Sequence, residues 1–139
     1  KKAYFGEKYF QQLTIIQKLV SDLSLPITIV SCPIVREPDG LAMSSRNIRL
    51  TEEQREIAPK IYEILQKSLE LKDQRSCRQI EKWVAEKIER IPALKLEYFQ
   101  LVDDENLQQV ENFEDSLGIV GCIAVFLGEI RLIDNIRYK

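Results

Sequence analysis

Between Asp39 and Asn47 the chain reads DGLAMSSRN, which places two hydroxyls, a guanidinium and a carboxamide at the consecutive positions Ser44, Ser45, Arg46 and Asn47. In a loop that leaves a strand and enters a helix, such groups and the backbone N–H groups beside them can converge on one anion. A phosphate chain is the natural guest. Arg36 and Arg49 stand where they can add positive potential at the rim. A second stretch, YFGEKYFQQL from Tyr4 to Leu13, offers complementary parts. Gly6 permits close backbone approach, Lys8 is a flexible point charge suited to phosphate, and Gln12 carries an amide that can orient a carboxylate or hydroxyl. On residue types alone, each stretch also has a plainer reading. Serine and asparagine cap helices, a loop arginine is ordinarily solvated, and Met43 can simply fill a gap.

What is absent narrows the chemistry further. The chain of 139 residues contains no histidine. That removes the commonest general base, the Ser-His and Cys-His nucleophile pairs and the commonest metal ligand, so any reaction must rest on Lys, Arg, hydroxyls, carboxylates or backbone amides. The three cysteines, Cys32, Cys77 and Cys122, are widely spaced and odd in number, which argues against a disulfide framework or a zinc site. No metal-ligating set of side chains is expected. Twenty Lys+Arg against 22 Asp+Glu leave no global field for nucleic acid, and Trp83, Tyr98 and Phe99 fall in periodic, core-like settings rather than on an exposed stacking platform. No apolar run reaches the roughly 20 residues of a membrane helix. The expectation is a soluble, cytoplasmic protein that binds neither nucleic acid nor membrane.

Two kinds of element must position these residues. Leu13, Ile16, Val20 and Leu23 share one face of a helix over 11–23, stopped at Ser24 to Pro26. A strand follows from Ile27 to about Cys32, then a turn at REPDG. Thr51 and Gln54 have capping-box spacing and open a helix expected to run to about Leu71. A second helix spans 76–91, with Ile80, Trp83, Val84, Ile88 and Ile91 inward, and pairs with the first as a hairpin. From Leu94 the period changes to that of strands. LKLEYFQLVD is one strand, and LGIVGCIAVFLGEIRLIDNI reads as two more joined at Leu127-Gly128-Glu129. The intervening DDENLQQVENFED is polar loop with at most a short helical turn. The fold class is therefore α+β: a short α/β remnant over 1–49 that includes the loop, then a domain over 50–139 of two helices and a three-stranded antiparallel sheet.

YFGEKYFQQLTIIQKLVSDL, VREPDGLAMSSRN and the closing GEIRLIDNI occur in one order across essentially the whole chain. Together they resemble the pantothenate synthetase (pantoate–beta-alanine ligase) family, and its later half only. MSSRN looks like that family's mobile phosphate-binding loop. The resemblance implies a Rossmann-like character for the first segment and a lid role for the second. It implies a two-step reaction, in which the carboxylate of pantoate attacks the α-phosphate of ATP to give pantoyl adenylate and the amine of β-alanine then displaces AMP. Carried over by position, Lys8, Ser44 and Arg46 would hold ATP phosphates and stabilise the developing charge. Gln12 would bind pantoate. Gly6, Val35, Met43 and Ser45 would border the adenosine. Mg²⁺ would ride on the phosphates, keeping its waters and needing few protein ligands.

Tyr9 departs from that pattern, since the family carries an aspartate there for the ribose hydroxyls. A phenol makes one hydrogen bond where a carboxylate accepts two. The chain opens at Lys1 without the H-x-G-H-type motif of the family's first half, so it is expected to be a piece of a longer polypeptide and inactive alone. The longer protein is expected to be a homodimer joined mainly through that first half. Two other readings stay open on sequence: another adenylate-forming nucleotidyltransferase, and a non-catalytic α+β module whose loop merely caps a helix.

Overall fold

A computed structural model describes residues 1–139. The first segment is a β-α-β unit of Rossmann-like type. Strand β1 (Lys2–Gly6) and strand β2 (Thr28–Cys32) pair in parallel, from Lys2 opposite Thr28 to Gly6 opposite Cys32, and helix α1 (Phe10–Asp22) connects them. Strand β1 was not expected from the sequence. KAYFG is too short and too mixed in polarity to announce itself, and only its pairing with β2 makes it a strand. A 3-10 turn, Glu7–Tyr9, carries the chain from β1 into α1. The helix ends where Ser24 takes a φ of 48°, close to the predicted stop.

After β2 the chain doubles back in a tight excursion. Glu37 N–H donates to the Leu41 carbonyl at 2.8 Å and Met43 N–H to the Val35 carbonyl at 2.9 Å, with Pro38, Asp39 and Gly40 at the tip. Gly40 has a φ of 95°, and a Cβ there would lie 2.6 Å from the Tyr62 ring, so the turn requires glycine for both conformation and space. The loop then closes in a 3-10 helix over Ser45–Arg49.

The second segment has the expected α+β order, with one correction. The helix read as continuous from Thr51 to about Leu71 is two, α2 (Glu52–Ile57) and α3 (Lys60–Leu69), broken at Ala58-Pro59. Pro59 has no N–H to donate, and its ring blocks the turn before it. Both predicted starts are true capping boxes: Thr51 with Gln54, and Ser76 with Gln79 ahead of α4 (Cys77–Glu89). Strands β3 (Leu94–Asp103), β4 (Ile119–Leu127) and β5 (Ile130–Arg137) form an antiparallel sheet in that order. The tight turn between β4 and β5 places Gly128 at a φ of 63°.

Side-chain alternation in β4 explains how the segments join. Ile119, Ile123, Val125 and Leu127 face the helices and enter the main core with Ile61 and Leu65 of α3 and Ile80, Val84 and Ile88 of α4. Each such fully buried aliphatic side chain contributes about 1.5–3 kcal/mol. Val120 and Cys122 point the other way and pack with Val102 and with Phe10, the first residue of α1. The sheet is thus covered on its second face by the start of the first segment, and the junction lies along β5. Trp83, expected inward, is only partly buried at the edge of the core, with the Lys87 ammonium over its ring.

Candidate active site

Where α1 begins, four pieces of chain enclose a cavity of about 250 Å³. The 3-10 turn supplies Lys8 and Tyr9, the first turn of α1 supplies Gln12, the loop supplies Ser44 and Arg46, and the sheet supplies Arg131, Asp134 and Asn135 from β5. No side chain caps the N-terminus of α1 and no acidic residue occupies its first turn, so the helix end itself favours an anion.

The electrostatics are set by who is paired. Arg131 donates to Glu97 at 2.6 Å. Asp134 is the only acidic side chain lining the cavity, and its carboxylate is held by both arms of Arg36 at 2.7 and 2.8 Å. Lys8 and Arg46 make no ion pair with a carboxylate. The cavity therefore presents two uncompensated cations. Burial holds the Lys8 ammonium below the ordinary lysine range; Asp134 opposes that fall, while Arg36 and Arg46 reinforce it. Its Nζ donates to the Met43 carbonyl at 2.9 Å, which ties the turn to the loop.

The plainer reading is realised at Ser44. Ser44 Oγ accepts the N–H of Arg46 at 3.1 Å and so caps the 3-10 helix, which still leaves its hydroxyl proton available to a ligand. Asn47 donates to the Ala42 carbonyl at 3.0 Å, making it a brace within the loop. Arg36, read as a rim charge, is instead a half-buried structural cation. Besides Asp134 it reaches the Gly40 carbonyl at 3.0 Å, and its guanidinium lies 3.6 Å from the centre of the Tyr62 ring.

Of the residues singled out in the sequence, Lys8, Gln12, Ser44 and Arg46 meet in the cavity, and Tyr9 stands at its wall, 55% exposed. Gly6, Val35, Met43 and Ser45 do not line it. Gly6 closes β1 with nothing within 4 Å of where a Cβ would stand, and Val35 and Met43 expose their side chains beside the loop. Sequence reasoning missed Arg131, Asp134 and Asn135. A signal existed for one of them: Asp134 shares the register of Ile130 and Leu132, and a carboxylate on that apolar face demands a partner.

The donor set suits a polyphosphate: an ammonium, a guanidinium, a hydroxyl and a helix start, with no free carboxylate to repel it. It does not suit a protein-held metal, because no three His, Cys, Asp or Glu side chains gather anywhere in the chain. No helix is long and apolar enough to cross a membrane.

This geometry defines a class: an α/β segment and a small α+β domain gripping a cationic cleft at their junction. A family model, pantoate-beta-alanine ligase, matches residues 1–137, and the chain belongs to that family. It is 54% identical over 138 residues to the pantothenate synthetase of Bacteroides thetaiotaomicron and 51% identical over 138 residues to that of Porphyromonas gingivalis strain W83. Each match takes in 99% of this chain and 49% of the relative. The chain spans about half the length of the curated relatives it matches. In three dimensions it is similar to the pantothenate synthetase of Thermus thermophilus, with a TM-score of 0.89 and 37% identity over 99% of this chain and 49% of the other. Similarity extends to a pantoate-beta-alanine ligase from Francisella tularensis complexed with beta-gamma ATP and beta-alanine, at a TM-score of 0.69 and 34% identity, covering 99% and 43%.

Proposed function

We propose that this chain forms one wall of the site in which ATP drives the condensation of pantoate with β-alanine to pantothenate. The carboxylate of pantoate displaces pyrophosphate from the α-phosphorus of ATP, and the amine of β-alanine then displaces AMP from the acyl adenylate. Both steps ask for positioning and charge stabilisation more than for proton transfer by the protein, which a cleft without histidine can supply. Lys8, Ser44 and Arg46 hold the phosphates, Gln12 orients pantoate, and the backbone at Gly6, Val35 and Met43, with Ser45, borders the adenosine. Mg²⁺ bound with the nucleotide would neutralise phosphate charge; the one carboxylate lining the cleft, Asp134, is engaged by Arg36 and would leave that role to the phosphates.

The observation that carries this reading is the pair of unpaired cations, Lys8 and Arg46, converging with the Ser44 hydroxyl in one cavity. Residues 1–49 act as the end of a nucleotide-binding domain and 50–139 as its lid. On this reading the chain is the C-terminal half of a longer protein, inactive without the rest and dimeric through it; that it spans 49% of a curated relative and has no histidine supports the first part. The test is protection: ATP with Mg²⁺ should slow acylation of Lys8 and dicarbonyl modification of Arg46 together, located by peptide mass. Modification unaffected by saturating nucleotide would remove the phosphate assignment.

A further inference from the structure

Two consecutive residues of β5 hold the two cationic segments of the cleft from opposite sides. Asp134 takes the loop, through the two-bond pair to Arg36. Asn135 takes the turn, its amide donating to the Glu7 carbonyl at 2.8 Å and the Lys8 carbonyl at 3.3 Å. The residues are locked to each other as well, since the Asn135 N–H donates to Asp134 Oδ1 at 2.7 Å. Lys8 Nζ closes the ring on the Met43 carbonyl. A cycle of directional polar links therefore runs from β5 to the turn, across to the loop and back.

We propose that Asp134 and Asn135 are positioning residues that fix the spacing between Lys8 and the Ser44–Arg46 loop, and with it the affinity of the cleft for the nucleotide. The inference rests on the nucleotide-site reading above. Hydrophobic burial can dock two surfaces but leaves their register loosely defined, whereas a bidentate pair and a two-pronged amide each accept one geometry. Neither residue belongs to an apolar cluster, so the fold does not depend on them for its core. Their chemistry is matched to what they grip: a carboxylate for a guanidinium, and two N–H donors for two carbonyls.

Asn135→Ala in the natural polypeptide that carries this chain isolates the effect, because it removes both donors without unpairing a charge. Three readouts are taken with the thermal midpoint as control: amide hydrogen exchange over residues 6–9, ATP affinity by calorimetry, and the pH profile of Lys8 acylation. Exchange should quicken at least tenfold and ATP affinity fall at least tenfold. The Lys8 profile should move up toward the ordinary lysine range as burial is relieved. Asn135→Ser, which keeps one donor, should lie between. For the other arm, Asp134→Asn should quicken exchange over 42–47. ATP affinity within twofold of the parent in Asn135→Ala overturns the proposal, even where exchange rises, since the links would then hold structure without serving the site. A parent protein that binds no ATP overturns the nucleotide-site reading instead, and the proposal with it.

Discussion

Arg36 and Asp134, 98 positions apart, meet in a two-bond ion pair at 2.7 and 2.8 Å with side chains only 19% and 6% exposed. The pair is where the loop of the first segment is fastened to the sheet of the second. Removing the carboxylate leaves the half-buried Arg36 without its counter-charge, so Asp134→Ala should cost about 2–4 kcal/mol in urea unfolding. Arg55 and Asp39 form an equally short pair at 2.7 Å, but at 35% and 44% exposure. Asp39→Ala should cost less than about 1 kcal/mol, and what it costs should shrink in salt.

Gly40 supports the same junction indirectly. An added methyl would meet the Tyr62 ring that stacks on Arg36, at a φ that disfavours any side chain. Gly40→Ala should therefore destabilise by more than about 1 kcal/mol. It should also lower nucleotide affinity, because the displaced ring disturbs the anchor of the loop. A Tyr62→Leu comparison separates loss of the stack from backbone strain.

Lys8 gives a pH signature. Its ammonium is held below 10.5 chiefly by burial. Between the folded value and 10.5 the unfolded chain binds more protons at this site than the folded one, so the contribution of Lys8 to stability rises with pH across that window. Acylation of Lys8 should accordingly begin at lower pH in the folded protein than in the denatured chain. Asp134→Asn, which removes the opposing influence of the carboxylate, should move the onset lower still.

The buried thiols run the opposite way. Burial pushes Cys77 up to about 11 and Cys122 up to about 12 from an ordinary 9.0, and raises the Tyr138 phenol, whose hydroxyl meets Ser68. These groups stay protonated in the fold while the unfolded chain ionises first. The stability they confer is complete below about pH 9 and is lost as pH rises toward the folded values. At neutral pH a thiol reagent should titrate Cys32 alone in the native chain and all three cysteines in denaturant.

How far the sequence carries depends on the range of the interaction involved. The β4–β5 hairpin, both capping boxes and the turn at Pro38 to Gly40 are local patterns, and each stands where its residues place it. Strand β1 exists through pairing with residues 26 positions on and carries no local signal. The break at Pro59 was legible from proline chemistry, but the apolar period of Ile57, Ile61 and Ile64 runs across it and masks it. Lys8, Ser44 and Arg46 could be picked out by type, and all three line one cavity. Asp134 and Asn135, which hold them there, act over about a hundred residues or more, and no local pattern announces such a pairing.

The proposed role of this cleft is ATP-driven joining of two acids through an adenylate. The most direct measurement is AMP release by the natural polypeptide that carries this chain, with pantoate and β-alanine each omitted in turn. AMP is expected only when both are present, with pantoate-dependent pyrophosphate exchange into ATP without β-alanine, and Lys8→Met should lower both by at least about a hundredfold. A folded protein that binds ATP yet releases no AMP with both acids present, or releases it equally without pantoate, would contradict it.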